Sequence, residues 1–76
     1  MTKQKTKQQI AFGQAIKDIR AEEKLSQEGL AFEAGLDRTY MSGIERGVRN
    51  PSLINIGKIA KALHIKIWKL FKKADL

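Results

Sequence analysis

From about Gln8 to Glu23 the apolar residues Ile10, Phe12, Ala15, Ile16 and Ile19 fall near a three-to-four-residue spacing, with Lys17, Asp18, Glu22 and Glu23 facing away. That period predicts an amphipathic helix. Leu25 closes it into a short link. Ser26 is an N-cap candidate, because its hydroxyl can accept from the free amides of the next turn. The following helix carries Leu30, Ala31 and Ala34 on one face and stops at Gly35, a residue suited to a left-handed cap. Gly29 occupies the position where a capping box would have Glu or Gln. Asp37 is a second N-cap candidate, for a helix running to about Arg46 and ended by Gly47. Met41 and Ile44 give it a buried face, so Arg38, Thr39, Ser42 and Tyr40 project from its opening turns. Asn50-Pro51-Ser52 breaks the chain and caps a fourth helix with a stripe of Leu53, Ile56, Ile59, Ala60 and Leu63. The last segment, Ile65 to about Lys73, alternates briefly like a strand but has no partner strand, and reads as a short helix. The pattern predicts five helices in an all-α fold, with residues 1–7 a polar, basic arm and residues 8–76 one domain.

Composition narrows the function classes. With 76 residues, 42% hydrophobic and 30% charged, the chain has the balance of one small folded domain with a thin core. It has no cysteine and a single histidine, so a disulfide, a zinc site or another bound cofactor is not expected. No apolar run approaches the roughly 20 residues needed to cross a bilayer. The basic N-terminal stretch has no apolar segment behind it, so a cytoplasmic protein without a membrane partner is expected. Fifteen Lys and Arg against eight Asp and Glu give a net charge of +7, which favours a polyanionic partner. The charge is uneven. Five of the eight acids lie between Asp18 and Glu33, and after Glu45 only Asp75 is acidic against eight basic residues.

The informative feature is the stretch Ser26 to Glu45, which reads cap, helix, glycine turn, cap, helix. Leu30, Ala31, Leu36, Met41 and Ile44 are its apolar positions. This is the pattern of a helix-turn-helix, in which the second helix enters the DNA major groove. Ala31 is small where the helices cross, Gly35 permits the turn, and Leu36 and Ile44 anchor the second helix so that its N-terminal side chains stay in solvent.

Leu25-Ser-Gln-Glu-Gly-Leu-Ala31, followed by Ala34-Gly-Leu-Asp-Arg-Thr-Tyr-Met-Ser-Gly-Ile-Glu-Arg-Gly47, resembles the phage-repressor/Cro-type helix-turn-helix family. The resemblance runs from about Phe12 to Phe71, through Arg49-Asn-Pro-Ser52 and Ile59-Ala-Lys-Ala-Leu63. Within that family the chain is most similar to the controller proteins of restriction–modification systems, small homodimeric regulators without a ligand-binding domain. The resemblance implies a lambda-repressor-like fold and a sequence-specific regulator of double-stranded DNA. It also implies activation of a restriction gene with self-repression. It assigns Arg38, Thr39, Tyr40 and Ser42 to base edges, and Gln27, Arg46, Arg49 and Asn50 to backbone phosphates. Arg20 and Glu45 match positions of a partly buried ion pair. At His64 the family usually has glycine, so a strained or shifted helix end is expected there.

Other readings stay beside these. Arg38 and Thr39 on an isolated helix would be ordinary surface residues, and Tyr40 could pack against the fold. Ile65, Ile67, Trp68, Leu70 and Phe71 are many large apolar side chains for a short terminal helix. Some complete the core, and the remainder forms an exposed patch unless a second subunit covers it. The resemblance favours a homodimer built on Ile65, Ile67, Trp68 and Phe71, with half-sites about 34 Å apart. RNA polymerase is a further candidate partner, with Asp18 and Glu33 as exposed acids. An antitoxin-like or other protein-interaction module on the same fold is the competing function. An enzyme fits poorly, with no nucleophile–base set and no phosphate-cradling glycine loop.

Overall fold

Thr6 starts the first helix. Its hydroxyl accepts from the Gln9 amide at 3.0 Å, and the Gln9 side chain accepts in return from the Thr6 amide at 3.4 Å. This capping box satisfies two donors that would otherwise face water alone. The computed structural model describes residues 5–76 and contains five α-helices among them: α1 (Lys7–Glu22), α2 (Gln27–Ala34), α3 (Arg38–Glu45), α4 (Leu53–Ala62) and α5 (Ile67–Lys73). The expected arm thus loses Thr6 and Lys7 to the helix start, and residues 1–4 of it lie outside the described residues. Ser26, Asp37 and Ser52 cap α2, α3 and α4 as the sequence predicts, each side chain accepting from amides of its first turn.

α1 packs on α3 and α5, α2 on α3 and α4, and α4 on α5. The centre is filled by Ile16, Leu30, Met41, Ile44, Ile59, Leu63 and Leu70, all essentially fully buried. Each such side chain contributes about 1.5–3 kcal/mol on burial, before the cost of ordering it. Two glycines set close approaches. At Gly13, where α1 crosses the end of α3, a methyl group would run into the carbonyl oxygens of Ile44 and Glu45. At Gly43 a methyl group would come within 2.5 Å of Arg49 Cγ, because the arginine stem lies along α3 there.

The structure departs from the sequence pattern at several apolar positions. Ile10 and Leu53, read as core-facing, are exposed. Ile10 instead lies beside Gly47, and Leu53 is the first residue of α4, ahead of the turn that reaches the core. α5 begins at Ile67 rather than Ile65, since Lys66 is extended and offers no side-chain cap. His64 does adopt the left-handed conformation, at φ 59°. The helix therefore ends where the family glycine would sit, with a histidine carrying the backbone strain.

Candidate nucleic-acid interface

α3 is held at its far end and free at its start. Met41, Ile44 and Glu45 are buried, whereas Arg38 and Thr39 in the first turn are exposed. Asp37 accepts from the Thr39 and Tyr40 amides at 2.9 and 3.4 Å, which fixes the first turn and neutralises part of its own charge against the helix dipole. The opening of α3 thus presents ordered backbone and free side chains, as reading a base edge requires.

The buried end of α3 is an ionic network. Arg20 Nε and Nη2 donate to the two carboxylate oxygens of Glu45, both at 2.8 Å, and Arg20 Nη1 donates to the Leu25 carbonyl at 3.1 Å. The hydrogen bond to Glu45 raises the guanidinium pKa above its ordinary value, against the opposing effect of burial. Glu45 is only 4% exposed, and such a charge is tolerable inside a protein only when paired on both oxygens. The pair ties α1 to the end of α3. Gln27 Nε2 joins it, donating to Glu45 Oε1 at 3.0 Å. The sequence reading gave Gln27 a phosphate contact. The structure commits one of its amide hydrogens to Glu45, leaving the second hydrogen and the carbonyl oxygen available.

The remaining expected residues gather around the exposed face of α3. Arg46 is exposed, and its Nε donates to Ser42 Oγ at 3.3 Å, so Ser42 is partly engaged within the helix. Arg49 and Asn50 are exposed on the loop after α3. The Arg49 guanidinium lies over the Tyr40 ring, 5.8 Å from its centroid, a cation–π arrangement. Tyr40 is half-buried and its hydroxyl accepts from Asn55 Nδ2 at 3.0 Å. Its ring is thus partly packed and partly in solvent. Asn55 was missed from the sequence. It lies 15 residues from Tyr40, in the first turn of α4, and only the tertiary fold brings the two together.

A second face lies on α4 and α5. Of the four residues expected at a dimer interface, Ile65 and Phe71 pack against the core, Phe71 with its ring 5.4 Å from Phe12. Ile67 and Trp68 remain exposed, Trp68 at 58%. Ile54, at 74% exposed, joins them, for Ile67 lies over Gly57 one turn further along α4. Among the described residues no group of His, Cys, Asp and Glu could hold a metal ion, and no helix is long and apolar enough to cross a membrane.

A family pattern described as helix-turn-helix matches residues 16–67. The chain belongs to the helix-turn-helix family. The control protein C.BamHI of Bacillus amyloliquefaciens is 55% identical over 58 residues, spanning 75% of this chain and 72% of that protein. Among solved structures, the restriction-modification controller protein C.AhdI from Aeromonas hydrophila superposes with a TM-score of 0.80 at 53% identity, covering 82% of this chain and 94% of that one. The protein C.Esp1396I, solved bound to a 19 base pair DNA duplex, superposes with a TM-score of 0.82 at 37% identity, covering 90% and 91% of the two chains. The helix-turn-helix of this family member consists of α2 and α3, joined through Gly35 in the left-handed conformation at φ 68°.

Proposed function

We propose that this DNA-binding transcription regulator acts as a homodimer on a two-fold operator, as the controller of a restriction–modification system. The observation that carries the proposal is the free first turn of α3, with Arg38 and Thr39 in solvent above an anchored helix. The similarity to C.BamHI and C.AhdI supports the controller role. Arg38 would match the O6 and N7 acceptors of guanine, and Thr39 would offer a hydroxyl and a methyl group. Tyr40 and Ser42 lie further along α3 and would add contacts there. Arg46, Arg49 and Asn50 would meet phosphates on one flank. The second hydrogen of the Gln27 amide, at the positive end of α2, would meet them on the other.

The exposed apolar side chains of Ile54, Ile67 and Trp68 support self-association, since a second copy would cover them. The cytoplasm is the compartment where such a regulator works.

Selection of bound duplexes from a random pool at two salt concentrations tests this reading. The expected result is a two-fold symmetric site with half-sites about one helical turn apart, and affinity falling steeply with salt. Weak binding that enriches no sequence would instead make the α4–α5 face the functional one, for a protein partner.

A further inference from the structure

The Tyr40 hydroxyl carries one proton and two lone pairs. Asn55 Nδ2 donates to it at 3.0 Å, so one lone pair is taken and the proton has no use on that side. No acceptor for that proton occurs among the described residues. The Asn55 backbone is held in the first turn of α4, where its amide donates to Ser52 Oγ at 3.1 Å. Arg49 constrains the ring from another direction, with its stem along Gly43 and its guanidinium over the aromatic face. The phenol is thus oriented by α4 and by the loop, not by α3 alone.

We propose that Asn55 is a positioning residue for DNA binding: by donating to Tyr40 it turns the phenolic proton outward, so that Tyr40 meets DNA as a hydrogen-bond donor. The consequence is chemical. Phosphate oxygens accept and never donate, and the purine N7 and O6 positions also accept. A phenol with its proton outward binds these groups, whereas one with its lone pairs outward is repelled by them. Arg49 over the ring adds positive charge at the same side chain. The inference rests on the proposed reading that the exposed face of α3 meets DNA, and it adds the polarity of one contact and the residue that sets it.

Tyr40 is the sole tyrosine of the chain, so Tyr40→Phe removes its only phenol. The test uses the full chain and the operator selected with the wild type. Dissociation constants and melting temperatures are measured for Tyr40→Phe, Asn55→Ala, Asn55→Asp and both double variants. Loss of a hydrogen bond to a charged acceptor predicts about tenfold weaker binding for Tyr40→Phe, and roughly three- to tenfold for Asn55→Ala. In the Tyr40→Phe background, Asn55→Ala is expected to change affinity by less than about twofold, because its route to DNA is gone. Asn55→Asp can only accept, so it captures the phenolic proton and reverses the polarity. Its carboxylate repels DNA in both backgrounds, and the excess loss seen only with Tyr40 present reports the proton direction.

Equal losses for Asn55→Asp with and without the phenol overturn the inference. So does coupling between the two residues that appears in melting temperature while their effects on affinity simply add, since that is a structural bond and nothing more. A wild-type chain that selects no operator overturns the DNA reading itself, and is seen before any variant is made.

Discussion

Arg20 and Arg38 carry the same charge on neighbouring parts of the fold and have opposite tasks. Arg20 is spent on Glu45, with both carboxylate oxygens satisfied and a carbonyl taken by its third nitrogen. Arg20→Met would leave Glu45 in a nearly dry site with Gln27 as its remaining partner, and a chemical denaturation curve should show a loss of about 3 kcal/mol. Arg38 is exposed at the start of α3 and makes no side-chain hydrogen bond within the described residues. Arg38→Ala should leave the melting temperature nearly unchanged. Repeating the duplex selection should show relaxed preference at one base pair of each half-site, worth about 1–3 kcal/mol. If that preference stays intact, the base-reading assignment of Arg38 is wrong. Both arginines were singled out from the sequence with these opposite tasks, but only the packing of α1 on α3 shows how Arg20 engages both Glu45 oxygens and the Leu25 carbonyl.

At the scale of the helix pair, glycine and cap positions decide how closely elements meet. The crossing of α1 over α3 depends on Gly13, for any larger side chain meets backbone carbonyls that cannot move aside. Gly13→Ala should therefore destabilise the fold by about 2–3 kcal/mol, read as a lower melting temperature, although alanine is the better helix former. The end of α4 offers the opposite case. His64 holds φ 59° with a full side chain, a conformation glycine adopts without strain. His64→Gly should raise stability by about 0.5–1 kcal/mol, and a lower melting temperature would show that the imidazole makes a compensating contact. The caps at Ser26, Asp37 and Ser52 were legible because each stands before an apolar period. Thr6 was not, because Ile10 and the basic residues before it weaken the pattern where α1 begins.

For the whole molecule, the question is how a chain with one thin core uses its remaining apolar surface. Ile54 is 74% exposed, and Ile67 and Trp68 are exposed as well, leaving apolar surface in water. Ile54→Asp should leave the isolated fold intact, since the side chain buries little in it. Sedimentation equilibrium of both chains should show a dimer for the wild type, as proposed, and a monomer for the variant at the same concentration. Operator binding should weaken sharply, because two half-sites are then bound by independent subunits. A variant that remains dimeric would move the interface elsewhere. Phe32, on α2, is 83% exposed, and nothing in the fold explains its exposure.

The sequence by itself determined the five helices, the caps of α2, α3 and α4, the glycine turn between α2 and α3, and the family. These are local properties, written in spacing and in residue types that only certain backbone conformations favour. It also placed Arg38, Thr39, Arg46 and Arg49 around one helix, since neighbours along a helix stay neighbours in space. Only the tertiary structure decided which apolar residues of α4 and α5 enter the core and which stay outside. Phe71 found Phe12, while Trp68, three residues earlier, found no such partner. It likewise joined Gln27 to Glu45 and Asn55 to Tyr40, pairs 18 and 15 residues apart. Such contacts depend on crossing angles and close approaches between helices, which the periodicity of a single helix does not encode.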